Sequence, residues 1–314
     1  MDNIKKYSGI VLLIFLFLIK IQDSNFVRKV ENISYDAYQS LFIEKNDFNE
    51  VVIIDIDEKS IGEIGQFPWR RDIFADLIDK LNQYGVSVIT FDIFFSEEDK
   101  QNPKKILEEF NIKNDTVVDS DKRLLESIQS SNVVLPVLGD ISKYNKDNQS
   151  KPKTNIISKG GDSSDYIYSF KNKITSLEKF NNAAKGVGTI SYLDSTDAIL
   201  RSVPIFLKIG DDIWPALSLE TLRVLHGHKS ILINSDETGI NLIKTRKYQI
   251  EPDPNAIVYI NYKKFDKDNY ISAVDVLNQN INSNKLRDKI VIIGSSAQGI
   301  FDFVKIPNGN VIPG

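Results

Sequence analysis

Apolar and polar positions along the chain change period several times, and each change marks an element. Ile10 to Ile19 is unbroken apolar sequence, preceded by Lys5 and Lys6 and followed by Lys20. Phe26, Val30, Ile33 and Ala37, then Tyr38 and Leu41, recur at helical spacing and predict a helix. "VVIIDI" (51–56) has no alternation and reads as a strand buried on both faces, as in a parallel sheet. Ile73, Phe74, Leu77, Ile78 and Leu81 form one helical stripe, which Gly85 is suited to stop. Val86 to about Phe95 reads as a second buried strand, "DKRLLESIQSSN" as a helix and "VVLPVL" as a third strand.

This order, β-α-β-α-β, predicts a parallel sheet with right-handed crossovers. Gly139 to about Asn172 is polar and poor in aromatics, so it reads as a solvated, mobile insertion. "GVGTISYL" and "LRSVPIFLKIG" look like a hairpin, and "WPALSLETLRVL" is helical. "SILIN", "GINLI", "YQIEP" and "AIVYINY" are short strands of an antiparallel region, after which "KIVIIG" returns as a buried strand. The expected fold is therefore α/β: a mostly parallel sheet flanked by helices, with an added antiparallel region, after an N-terminal membrane helix.

The apolar run is shorter than the roughly 20 residues that span a bilayer comfortably. Tyr7 and Ile21 extend it, and the flanking lysines can snorkel to the interfaces. "IKIQDSNF" has no small-x-small cleavage site, so residues 1–22 read as an uncleaved anchor rather than a signal peptide. Positive charge before the run points its start into the cytoplasm and places residues 23–314 outside. The formal charge of −4, with basic residues interleaved among acids, gives no footprint for nucleic acid. With no cysteine in the chain, disulfides and cysteine metal sites are excluded.

Candidate chemistry gathers where strands end. A carboxylate inside an apolar strand is costly unless paired, which singles out Asp55 and Asp92. Both lie toward the carboxyl ends of strands joined by one crossover, where open α/β sheets form their ligand crevice, and neighbouring strands are expected to carry them. Arg70 and Arg71, ahead of the crossover helix, are their natural partners. A structural ion pair and a ligand site are both open readings of this cluster. Asp57 is suited to cap a short helix starting at Glu58, a contribution of about 1 kcal/mol. Trp69 can stack on a ligand or sit in the core. "IIGSSAQG", with Ser295, resembles an anion-holding turn but lacks the Lys-Ser/Thr pair of a P-loop.

Asp-x-Asp after a strand also opens phosphatases of the haloacid-dehalogenase type, and Gly210 to Asp212 mimic their acidic metal motif. Lys59 stands where such enzymes want Thr or Val, and Pro215 where the distal acid belongs. His226 and His228, the only histidines, lack supporting acids for a metal site, and no serine elbow is visible. No catalytic residue, metal ligand or cofactor is assigned.

Taken together, "ENISYDAYQSLF", "VVIIDIDEKSIGEIGQFPWRR", "VSVITFDIFFSEED", "NVVLPVL", "DAILRSVPIF", "WPALSLETLR", "YISAVDVLN" and "LRDKIVIIGSSAQGIFDFVKIP" resemble, in order, the CHASE domain of the second type. Arg70 stands where that family usually has a second proline, and "DSTDAILR" lacks its usual turn glycine. The resemblance implies the extracytoplasmic sensor of a bacterial receptor held in the inner membrane. It also implies that the chain is a fragment, followed by further membrane helices and a cytoplasmic cyclase, diguanylate cyclase or kinase. The expected partners are the membrane, an unknown extracytoplasmic ligand and a second copy in a homodimer. The candidate ligand residues are Asp55, Asp57, Trp69, Arg70, Arg71, Asp92 and Ser295. The alternatives are a phosphatase using Asp55 and Asp57, or a passive dimerisation domain without a ligand.

Overall fold

The computed structural model describes residues 25–44, 49–114, 116–140, 149–193, 197–297 and 303–313, with 7, 9–11, 13 and 17 before them. Most of the apolar run lies outside these residues. Among the described residues, no helix is long and apolar enough to cross a membrane.

Helix α1 (Asn25–Leu41) precedes strand β1 (Val51–Ile56), the short helix α2 (Glu58–Ile64), helix α3 (Arg71–Gln83) and strand β2 (Val88–Phe91). Helices α4 (Pro103–Glu109) and α5 (Ser120–Gln129) come before β3 (Val133–Asp140). Next are β4 (Asn155–Gly160), β5 (Ser169–Phe170), β6 (Asn172–Thr175), α6 (Glu178–Ala183) and β7 (Gly186–Thr189). Strands β8 (Ser202–Pro204), β9 (Phe206–Ile209) and β10 (Asp212–Pro215) lead to helix α7 (Leu217–Leu225). Then follow β11 (Ser230–Asp236), β12 (Gly239–Lys244), β13 (Gln249–Ile250), β14 (Ile257–Tyr259) and β15 (Tyr270–Ser272). Helix α8 (Ala273–Leu277), β16 (Ile290–Ser295), β17 (Phe303–Lys305) and β18 (Val311–Pro313) complete the order.

The expected parallel sheet is present. β15, β1, β16, β2 and β3 pair in that order, all parallel. Val134 pairs with both Thr90 and Gly186, and Val137 with both Thr175 and Thr189. Parallel β7 therefore takes one edge of β3, while β2 and antiparallel β6 share the other. The late strand β16 inserts between β1 and β2, so Asp55 and Asp92 do not lie on neighbouring strands as expected. Long-range insertion of this kind leaves no local period in the sequence.

Alternation along each strand sets the layers. Val52, Ile54 and Ile56 of β1, with Ile89 and Phe91 of β2, pack into one core with Phe74, Leu77 and Ile78 of α3 and Leu124 and Ile128 of α5. The opposite face of β2 meets α7, where the Thr90 and Thr221 hydroxyls bond at 2.8 Å. Helix α7 also approaches β7 closely: a Cβ on Gly188 would stand 2.6 Å from the Leu217 Cα. Among the described residues no helix covers the second face of β1, and Val51, Ile53 and Asp55 remain half-buried there.

A second layer holds β13, β12, β11 and β4, with its own core including Phe206, Ile231, Ile233 and Ile243. The antiparallel region was expected, but two details differ. The polar 139–172 segment, apart from 141–148 outside the described residues, supplies β4, which runs parallel to β11 from Asn155↔Ser230 to Gly160↔Ser235. Most β4 side chains are exposed and the pairing is made by the backbone, so the hydropathy pattern hides the strand. Nor do 186–193 and 200–210 form one hairpin: β7 joins the main sheet, β8 pairs with β14, and β9 turns back into β10. Strand β2 is also shorter than expected, because the chain leaves the ladder at Asp92.

Candidate functional site

At the carboxyl end of β1 the two aspartates have separate tasks. Asp57 is the N-cap of α2, with extended backbone (φ −90°, ψ 177°). Its Oδ1 accepts from the Ser60 N–H at 2.8 Å, the Ser60 hydroxyl at 2.7 Å and the Ser272 hydroxyl at 2.8 Å. The fully buried Ser60 also accepts from the Val274 N–H at 3.2 Å, so this network fastens α2 to the start of α8. Asp55 turns to the next strand. It accepts from the Ser296 N–H at 2.9 Å and the Ser296 hydroxyl at 2.6 Å, holding the turn after β16. Burial pushes the Asp55 carboxyl above the ordinary carboxylate range, the Ser296 bonds pull it back in part, and Asp57 adds to the rise. Ser295 donates its hydroxyl to the Ile56 carbonyl at 3.0 Å.

The remaining predicted residues do not join this group as one cluster. Trp69 is only 3% exposed; it packs among Phe67 and Phe74 and donates its indole N–H to the Gly65 carbonyl at 2.8 Å. That places most of the ring in the core. Arg70 pairs with Asp72, Nε to Oδ1 at 3.0 Å. The Arg71 guanidinium lies 4.7 Å over the Phe95 ring, and its Nε is buried without a hydrogen-bond partner among the described residues. Burial pulls the Arg71 pKa down, against the charges of Asp99, Asp121 and Glu97. Half-buried Asp92 follows β2, its N–H bonded to the Ile293 carbonyl at 2.9 Å. With β16 between them, the backbones at Asp55 and Asp92 are two strand spacings apart, about 9–10 Å.

The geometry opposes a phosphatase site. Asp55 and Asp57 bind different hydroxyls, and Gly210 to Asp212 form the β9–β10 turn of another sheet, where Asp212 pairs with Lys151 at 2.8 Å. Among the described residues, no group of three or more His, Asp or Glu side chains is placed to hold a metal ion.

A different site emerges on the Val51 and Ile53 face of β1, which no helix covers among the described residues. A cavity of about 880 Å³ opens there, floored by Val51 and Ile53 and walled by Phe265, Tyr270, Ile306 and Ile312. That volume suits a small molecule. Asp55 lies on the same face of β1 as Val51 and Ile53, one alternate position beyond them, and its charge raises the pKa of Tyr270, where burial is the larger cause. Sequence reasoning missed this cavity because an apolar strand with one uncovered face looks the same as one covered on both. The IIGSSAQG turn cannot be followed past Ala297, since 298–302 lie outside the described residues.

The segment that walls the cavity also grips α1. Tyr35 donates its hydroxyl to the Ile260 carbonyl, and its ring packs on Tyr259 at 5.2 Å between centroids. The Gln39 side-chain oxygen accepts from the Tyr262 N–H at 3.2 Å, and Glu44 pairs with Lys263 at the cavity rim. Arg201, 6% exposed, donates to both carboxylate oxygens of Asp36 and both of Asp197. Only the placement of Asp36 and Arg201 within two of the quoted motifs hinted at this clamp.

Neither the curated proteins nor the solved structures contain a match to this chain. The family profile of the CHASE2 domain matches residues 10–314, nearly the whole chain. With that coverage, the chain belongs to the CHASE2 family, the extracellular sensory domains of signalling receptors.

Proposed function

We propose that this chain is the extracytoplasmic, ligand-binding sensor of an inner-membrane receptor. Residues after about 23 face the periplasm, and a cytoplasmic cyclase, diguanylate cyclase or kinase receives the signal. One observation carries the reading: the 259–266 segment both walls the β1 cavity and holds α1, the helix that follows the apolar N-terminal run. A small molecule with an apolar body, seated on Val51 and Ile53, presses on that segment and biases the position of α1. The ligand acts through its different affinity for two arrangements of α1 on the domain. Asp55, Asp57 and Ser295 hold the turns at the carboxyl ends of β1 and β16, beyond the cavity floor, and Arg70, Arg71 and Asp92 lie outside the cavity lining.

Two measurements test it. A reporter active only in the periplasm, fused at Ser150, is expected to be active, and a silent fusion with an active cytoplasmic reporter refutes the topology. Ile53→Trp fills the cavity floor and is expected to shift the basal output of the parent receptor while the chain still folds. Unchanged output and unchanged stimulus response in that variant refute the site.

A further inference from the structure

Helix α1 is amphipathic in the reverse sense. Asn32, Tyr35, Asp36 and Gln39 turn toward the domain, and the last three are fixed by the bonds described above. The outward side carries Val30, Ile33, Tyr38, Leu41 and Phe42, exposed by 46%, 67%, 59%, 76% and 64%. A surface helix normally buries its apolar stripe and presents its polar one. Five large side chains this exposed, over three turns, make an apolar patch of about 300–600 Å², the size of the largest patches on soluble monomers, which are often functional.

We propose that this face is an interface between two copies of the chain, with the two α1 helices side by side and parallel about a two-fold axis. Val30, Ile33, Ala37 and Leu41 repeat at steps of three and four residues, the spacing that lets a helix stripe interlock with its own copy. Ala37, small and exposed, sits mid-stripe where two helices must approach closely. The serines on this side bring no unpaired donor with them. Ser34 and Ser40 donate their hydroxyls to the Val30 and Asp36 carbonyls of the same helix, each at 2.8 Å.

Two other occupants fit less well. The helix cannot turn its stripe inward without breaking the Asp36–Arg201 pair. A helix lying on a lipid surface keeps its polar face in water, whereas the polar face of α1 is bound to the domain. Two such patches facing each other bury on the order of 1,000 Å², the lower end of a specific interface, consistent with a contact that a signal can rearrange.

The absence of cysteine makes the test direct. Single variants Ile33→Cys, Leu41→Cys and Glu237→Cys of the full chain are oxidised in membranes; Glu237 is an exposed control in the β11–β12 turn. Ile33→Cys and Leu41→Cys are expected to give disulfide-linked dimers, and Glu237→Cys only background. Ile33→Asp in the full chain in detergent is expected to weaken dimerisation by about tenfold or more, since each copy brings a charge into the seam, with an unchanged near-UV spectrum. The proposal is overturned if the two stripe variants cross-link no more than the control, whether lipid or another protein covers the stripe. It is equally overturned if mixed Ile33→Cys and Leu41→Cys chains link only to each other, or if the Ile33→Asp chain stays fully dimeric.

Discussion

Arg201 holds Asp36 with two parallel bonds, Nε and Nη2 each 2.7 Å from a carboxylate oxygen, across 165 positions of sequence. The Asp36 and Asp197 bonds together raise the pKa of Arg201. Removing one member of a buried, bidentate pair leaves the other charge uncompensated and costs about 3–5 kcal/mol. Arg201→Ala is expected to destabilise the chain most, Asp36→Ala nearly as much and Asp197→Ala least, since the Asp197 side chain is 42% exposed. Denaturant unfolding of the three variants checks the order. An equal loss for Asp197→Ala and Asp36→Ala contradicts the assignment of Asp36 as the main partner.

Asp57 and Asp55 are expected to respond in different ways. Asp57→Ala removes a cap and two hydroxyl bonds, a loss of about 2 kcal/mol. Asp55 has a native pKa raised above 3.8, chiefly by burial. The folded state therefore holds its proton more tightly than the unfolded chain. Stability from this group is full below 3.8 and lost as pH rises through the native value. Asp55→Asn should gain in melting temperature relative to wild type as pH rises through that range, and a relative loss with rising pH contradicts this.

Much of the scaffold was legible because its signals are local. The apolar run 51–56 is β1, the Ile73-to-Leu81 stripe is α3, and the cap of α2 by Asp57 follows from a carboxylate between a strand and a helix. What escaped was set by distant partners. Nothing near 290–295 announces that β16 will part β1 from β2, and that insertion separates Asp55 from Asp92. Arg70 bonds to Asp72 and the Arg71 guanidinium lies over Phe95, contacts that nothing in the local sequence announces. Buried Glu220 and Arg223 show in the sequence only as positions of a helix. They bond at 2.8 and 2.7 Å, and Arg223 also donates to the Lys185 and His228 carbonyls.

The glycines of "GVGT" and "IIGSS" look alike in sequence but have different surroundings. A Cβ on Gly188 meets the Leu217 backbone at 2.6 and 2.9 Å, where neither strand nor helix can yield cheaply. Gly188→Ala is expected to cost about 1–3 kcal/mol through overpacking. Gly294 has nothing within 4 Å of the added Cβ, so Gly294→Ala is expected to stay within about 0.5 kcal/mol of wild type. Melting curves of the two variants decide the matter, and a loss at Gly294 as large as at Gly188 contradicts the open surroundings of Gly294.

Alkaline pH is expected to act first at the α1 attachment. Burial pushes the Tyr35 hydroxyl up to about 12, aided by Asp36 and Tyr259 against Arg201, and burial with the nearby Tyr35 pushes Tyr262 up to about 12. Both donate to backbone carbonyls beside the clamp, Tyr35 to Ile260 and Tyr262 to Leu200. Above the ordinary tyrosine value of 10.0 the unfolded chain releases protons that the folded chain keeps, so stability is complete below 10.0 and declines as pH rises toward about 12. Tyr270 is shifted in the same direction and adds to the decline. Tyr35→Phe with Tyr262→Phe is therefore expected to melt lower at neutral pH, having lost two hydrogen bonds, yet to lose less stability between pH 10 and 12. Hydrogen exchange along α1 should accelerate before that of β1 as wild type enters this range, because the tyrosines hold the helix and not the sheet. A double variant with the same alkaline slope as wild type, or exchange that rises first in β1, contradicts the placement of the weak point at this attachment.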